Sequence, residues 1–461
     1  MICPAKPTRF RDGTTFKDGK LYVFERNSVL VVQPWPHLRA WRMTAGRRQW
    51  RQVRPNLSLE VSLDGVLSAP STTPRRVNSI CQPFPGARRR WNNDPFLDAG
   101  LAFDEQPIEE PAAQAHRFAE AATIAGWWEK QQARETAAVR PFQACFPSEV
   151  RAWLSPFRER QWHLAVLLRG CPGAAELLQA NPALAFCLAS NWVFRSPRPK
   201  LPQRDARRWI RRRQRDIAGW LGFPATGETV NLLRKIPPES CSIPALLYLR
   251  HALRTSNIAA TLRHSPCLNA TVLRITGEAR LRALVAPRLL RELSAGVREL
   301  GVCSGHVRML RDMLDMAAML VPARTLPAYQ TLHQLERAHD ALADELNLHG
   351  PRAMESVEFP APPIPGHDGI VPLTEPQMLL EEGRAQQNCV ASYFGRVADG
   401  GEFIYRVLAP ERATLQVVRT RQGWQMGQLS GVRNRAVSEA TRAAVLRWME
   451  GEGWNENWEP F

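Results

Sequence analysis

The residues of this chain best suited to chemistry lie between Gln386 and Tyr393. Gln386-Gln387-Asn388 form a polar cluster that leads directly into Cys389 and Val390. A cysteine in a polar loop after a helix can act as a nucleophile, because the amides opening the next helix favour its thiolate. That chemistry also needs a base. No histidine follows Cys389, and His367 is the nearest before it. A Cys/His pair therefore requires His333, His339, His349 or His367 to fold back. The competing reading makes Cys389 and Val390 small core residues, with Gln386, Asn388 and Tyr393 hydrogen-bonded to adjoining strands. Gln428 and Asn434, further along, could line the same place. A second set, His333, Glu336 and Asp340, falls at i, i+3 and i+7 of a helix over 329–348, with His339 adjacent. The spacing suits a metal ion, but ion pairing with neighbours such as Arg337 accounts for it more simply. No metal centre and no cofactor is expected. No P-loop, G-x-S-x-G, H-E-x-x-H or paired-carboxylate signature occurs.

The elements that position this cluster can be read on either side of it. Thr374 is the expected N-cap of a helix, with Glu375 and Pro376 in its first turn. That helix ends near Gly383, and a second short helix covers Val390–Val397. After Gly400-Gly401 come three strand-like runs, 402–408, 412–419 and 424–430, read as an antiparallel meander. A helix over Val437–Glu450 packs back on it. Taken together, Glu382-Gly383, Gln386, Asn388-Cys389-Val390 and Tyr393, then a glycine turn, then Ile404-Tyr405-Arg406 and Thr414-Leu415-Gln416-Val417 resemble the PcfJ-like family. That family is found on bacterial conjugative plasmids and phages. The resemblance implies an accessory protein of a mobile genetic element and marks Gln386, Asn388, Cys389, Tyr393, Gln428 and Asn434 as pocket candidates.

Composition bounds the alternatives. The 461 residues suffice for about three domains. No apolar run of membrane-spanning length occurs, so no membrane insertion is expected. The N-terminus carries no apolar signal segment. Nine scattered cysteines with no C-x-x-C pair argue against a zinc knuckle or a disulfide framework and fit a reducing cytoplasm. The net charge of +17 is unevenly placed. Residues 1–100 hold 17 basic and 7 acidic residues, and residues 145–320 hold 27 and 12, whereas residues 351–461 hold 11 and 14. A surplus so placed favours polyanionic partners, DNA or RNA, through counterion release. Only six of the 61 basic residues are lysine, which suggests a GC-rich genome as much as selection for guanidinium chemistry.

Residues 1–100 read as a basic β-rich domain. Leu21–Phe24 and Val29–Val32 are strand-like, and Asp64-Gly65 is a hairpin turn. Trp35, Trp41, Trp50 and Trp91 are interleaved with arginines, among them Arg39, Arg42 and Arg88–Arg90, which suits either a stacking platform for bases or a small core with solvated charges. A proline-, serine- and threonine-rich loop over 68–85 and an acidic connector follow. Next comes a long alanine-rich helix over 113–138 bearing Trp127-Trp128. The region 105–350 is an irregular helical domain punctuated by proline at Pro172, Pro182 and Pro237-Pro238. Within it, Arg204–Leu221 reads as one helix carrying Arg204, Arg207, Arg208, Arg211 and Arg215 as a stripe. That face suits phosphate tracking, anionic lipid, an acidic partner protein, or solvent. A proline-rich linker, 351–369, precedes a 370–461 α+β domain ending in an acidic tail with Trp454 and Trp458. The expectation is an α+β multidomain protein associated with nucleic acid. The alternatives are an enzyme using the Gln386–Tyr393 cluster and an adaptor for conjugation or phage proteins.

Overall fold

The computed structural model describes residues 13–25, 28–44, 51–53, 67, 137, 139–196, 202–295, 300–321, 324–349, 357–420 and 423–451. The Asp64-Gly65 turn, Trp50, Trp91, Arg88–Arg90, the 68–85 loop, the 113–138 helix except residue 137, and the tail tryptophans lie outside these residues. The chain divides into two compact units. One comprises the described residues up to Arg282 together with 290–295, and the other comprises 283–289 and 300–451. Among the described residues no helix is long and apolar enough to cross a membrane.

The first unit opens with a five-stranded antiparallel meander: β1 Gly13–Lys17, β2 Lys20–Glu25, β3 Ser28–Gln33, β4 Arg39–Thr44 and β5 Arg51–Val53. Asp18 and Gly19 join β1 to β2 with φ of 51° and 69°. A two-residue hairpin loop needs this left-handed pair, because its twist then matches the strands. Val29, Val31 and Trp41 form one buried cluster, with Val31 paired to Trp41 across the β3–β4 ladder. Trp41 is thus a core residue and offers no stacking face to a base.

Short helices follow: α1 Gln161–Gly170, α2 Ala174–Ala180, α3 Pro182–Ala189, α4 Pro202–Trp209, α5 Gln214–Trp220, α6 Gly227–Arg234, α7 Ile243–Thr255 and α8 Ala270–Gly277. Proline marks the starts of α3, α4 and α7. Pro182 sits at the opening of α3, where its missing N–H costs nothing, and the Asn181 side chain caps Leu184 N. Ser242 and Asn269 cap α7 and α8 in the same way.

The single helix expected over Arg204–Leu221 is two helices. The chain leaves helical geometry at Arg213, whose φ and ψ are −59° and 145°. The physical reason is the Trp209–Trp220 stack, whose ring centroids lie 5.0 Å apart. Eleven residues of one helix would separate those side chains by about 16 Å along the axis. Pairing the two indoles therefore forces a reversal, which falls over Ile210 and the three arginines after it.

The second unit is built on a four-stranded antiparallel sheet in the order β6 Ile370–Pro372, β7 Glu402–Val407, β8 Ala413–Thr420 and β9 Gly423–Ser430. Its helices are α9 Leu300–Leu320, α10 Leu332–His349, α11 Pro376–Gln386, α12 Phe394–Ala398 and α13 Glu439–Gly451. The expected meander is present with one further strand, β6, which is three residues long and carries no alternation of its own. The N-cap of α11 is Glu375 rather than Thr374, with Pro376 opening the helix. The expected second helix begins as a 3₁₀ turn, Val390–Tyr393, that runs on into α12. Gly400 has a φ of +65°, which a side chain would resist.

Strand alternation separates the two faces of this sheet. Phe403, Tyr405, Val407, Leu415, Val417, Met426 and Leu429 pack with Val445 and Trp448 of α13. Ile404, on the opposite face, packs with Leu379, Val390, Tyr393, Phe394 and Val397. Glu402, Arg406, Thr414, Gln416 and Gln428 share that second face by alternation and register. A polar layer is thereby placed between the sheet and α11, α12 and the 3₁₀ turn.

Candidate functional site

The polar layer is organised around two acidic side chains. Glu382, on α11, is fully buried, and its Oε2 accepts from Arg406 Nε at 2.8 Å and Arg412 at 2.6 Å. Its Oε1 accepts from Thr414 Oγ1 at 2.9 Å. Asn388 Nδ2 donates to Thr414 Oγ1 at 3.3 Å, and Asn388 Oδ1 accepts from Val390 N at 3.1 Å. An amide side chain tightens the loop before the 3₁₀ turn. From α10, Asn347 Nδ2 donates to Asn388 O at 3.0 Å, while Arg384 Nε donates to Asn347 O at 2.7 Å. Gly383 permits this approach, since a Cβ there would collide with Asn347 Oδ1. Glu382 is not among the pocket candidates of the sequence. The signal available was its place beside Gly383 in the family motif.

The second centre is Asp312, His339 and Cys389. One ligand atom from each lies within 4.8 Å of the other two, and the residues are only 5%, 6% and 7% exposed. Cys389 Sγ lies 3.9 Å from Asp312 Oδ2. His339 Nδ1 lies 3.2 Å from Asp340 Oδ1. Of the four histidines that could fold back, the structure brings His339 to the cysteine. In the His333–Glu336–Asp340 set, all three named residues are exposed, and buried His339 points to a different partnership. Asp312 was not foreseen; its position on α9 is 77 residues from Cys389, and no local pattern connects them.

The electrostatics follow from burial. Burial pushes the Asp312 carboxyl up to about 6, against the pull of Arg396, His339 and Arg308. Burial also raises the Cys389 thiol well above its usual range, and the Asp312 carboxylate adds to that. The opening amides of a 3₁₀ turn thus do not prevail over desolvation. Burial raises Tyr393 similarly, with Asp312 and Cys389 contributing. Arg396 lies 4.0 Å over the Tyr393 ring, 3.8 Å from Asp312 and 3.6 Å from Glu402. Tyr393 Oη and Gln428 Oε1 are 3.4 Å apart, and Arg308 donates to the same oxygen at 2.9 Å.

Of the sequence candidates, Asn388, Cys389, Tyr393 and Gln428 enter these linked networks. Gln386 is fully buried, and both of its amide atoms lack a hydrogen-bond partner among the described residues. Asn434 lies apart, exposed in a turn with φ of 58°. The group is packed, and none of Gln386, Asn388, Cys389 or Tyr393 faces an open cleft as an exposed residue.

The first unit holds a site of another kind. Arg204, Arg207, Arg208, Arg211 and Arg215 are all exposed on the α4–α5 corner, as are Arg212 and Arg213. Arg215 lies 3.6 Å from Asp216. Beside the corner, a cleft of about 340 Å³ is lined by Arg39, Arg169 and Arg207 with His37, Gln52 and Gln203, and no carboxylate is among its lining residues. Gly170 keeps it open, since a Cβ there would lie 3.0 Å from Gln203 and 3.2 Å from Arg207.

No curated protein and no solved structure matches the chain. Residues 309–446, a stretch that holds Asp312, His339, Glu382 and Cys389 together, are similar to the family described as PcfJ-like protein.

Proposed function

We propose that the protein is a nucleic-acid-associated accessory protein, in keeping with the mobile-element setting that a PcfJ-like resemblance implies. The observation that supports this reading is the cleft lined by Arg39, Arg169 and Arg207 without an acidic group, opening beside the exposed α4–α5 corner. Guanidinium groups bind phosphate bidentately, and arginines from a strand, a helix and a corner spread several such contacts over one surface. The position of these residues points to backbone recognition, because no base-reading motif accompanies them.

The test is fluorescence anisotropy with a labelled single-stranded oligonucleotide and a duplex across a salt series. Each lost phosphate contact lowers the log–log slope by about 0.7 for single strands and about 0.9 for duplex. Changing Arg39, Arg169 and Arg207 to Ala together is expected to reduce the slope by about 2–3 units. Changing Arg204, Arg208, Arg211 and Arg215 to Ala is expected to reduce it by a similar amount. Unchanged slopes in both variants would remove nucleic acid from the reading.

A second reading, an enzyme centred on Cys389, is favoured by one observation: His339 and Asp312 stand next to the thiol. Burial and the raised thiol disfavour a free nucleophile there.

A further inference from the structure

We propose that Asp312, His339 and Cys389 form a three-ligand site for a zinc-class divalent ion. The three ligand atoms already lie within 4.8 Å of one another. Around a tetrahedral zinc ion, bond lengths of about 2.0–2.3 Å place ligand atoms about 3.4–3.6 Å apart. Closing the triangle onto an ion thus takes little more than about an ångström of side-chain movement. The donor set of one sulfur, one imidazole nitrogen and one carboxylate oxygen is that of zinc and its neighbours, not of magnesium or calcium.

Two further observations point the same way. His339 Nδ1 is held by Asp340 Oδ1 at 3.2 Å. With Nε2 as the coordinating nitrogen, Asp340 is the outer carboxylate that orients a metal-bound histidine. Among the described residues, the buried Asp312 carboxylate has only long contacts, with Cys389 at 3.9 Å and with Arg396 at 3.8 Å. A buried carboxylate usually has a short, strong partner, and an ion between these ligands provides one. Charge closes as well: a thiolate and a carboxylate neutralise a divalent cation, and Arg396 keeps Glu402 and the Tyr393 ring. Binding releases the thiol proton to solvent. Three protein ligands leave a fourth position for water, the count found in catalytic rather than structural zinc sites. The ligands come from α9, α10 and the loop before the 3₁₀ turn, so the ion would also tie three segments of the second unit together.

The test uses the full chain, stripped with chelator and titrated with Zn²⁺ or Co²⁺. One equivalent of either is expected to bind, with Co²⁺ giving a thiolate charge-transfer band in the near ultraviolet. Cys389→Ser should abolish that band, and His339→Ala should abolish binding. Asp340→Asn alters an exposed residue and should leave the fold intact while weakening affinity about 10–100-fold. Folded chain that binds neither ion, or binding that Cys389→Ser and Asp340→Asn both leave unchanged, would overturn the proposal.

Discussion

Removing the Glu382 carboxylate is the most direct perturbation of the second unit. Its two oxygens accept from Arg406, Arg412 and Thr414 at 2.6–2.9 Å, and it is wholly buried while the arginine side chains are 22% and 33% exposed. Hydrogen bonds to a charged group contribute about 1.5–3 kcal/mol each. Their sum overstates the loss, because two partly exposed guanidinium groups can turn to water. Breaking a buried pair by removing one partner costs about 3–5 kcal/mol, and we expect Glu382→Ala near the lower end of that range. For a unit of this size each kcal/mol moves the midpoint by about 2–4 °C, so a fall of about 6–12 °C is expected. Glu382→Gln keeps an acceptor for Thr414 and should fall by about half as much. Thermal unfolding of the full chain followed by circular dichroism reads the effect. Because the pair is buried, moderate salt should not abolish the difference between wild type and variant. A midpoint for Glu382→Ala within about 2 °C of wild type would refute the view that this carboxylate joins α11 to the sheet.

Two further expectations concern the same unit. Cys389, buried beside Asp312 and with its thiol raised, should alkylate more slowly at neutral pH than the half-buried Cys145 and Cys267, and should become reactive in denaturant. Mass spectrometry after a timed pulse of iodoacetamide distinguishes these, and early labelling of Cys389 would contradict the burial argument. A fragment beginning at residue 370 loses Asp312, His339 and Asn347, and it uncovers the cluster that Met319, Val357 and Phe359 help to bury. A fragment beginning at 299 keeps them. Cooperative unfolding is expected of the longer fragment and a broad, weak transition of the shorter; equal cooperativity would place the folding boundary at the proline-rich segment.

Much of the second unit was legible because its signals are local. Strand-like composition over 402–408, 412–419 and 424–430 places β7, β8 and β9 almost to the residue, since β-branched and aromatic residues bounded by turn residues favour strands. Leu379, Ile404, Leu415, Val417 and Trp448, apolar residues of these elements, are buried. In the first unit, Leu21–Phe24 and Val29–Val32 lie within β2 and β3, and Pro182 opens a helix as its locked φ dictates. The Gln386–Tyr393 motif marked the right loop but not its partners.

What only the tertiary structure decided are contacts between segments distant in the chain. The arginine stripe of 204–215 satisfies helical periodicity, yet a stack between Trp209 and Trp220 bends it into a corner. β6 forms on the open edge of β7: Ile370 and Val371 favour extended chain, but a three-residue run ending in proline is too short to mark a strand without that partner. Glu381 and Glu382 are indistinguishable as letters; helix phase and the arrival of Arg406 and Arg412 bury one of them. His339 looked like the neighbour of a surface carboxylate pattern and became the partner of a cysteine 50 residues on, with Asp312 joining from α9. Periodicity reports which face of an element is apolar. It carries no information on which polar side chain from another element will meet that face, because that choice is made by packing the cores together.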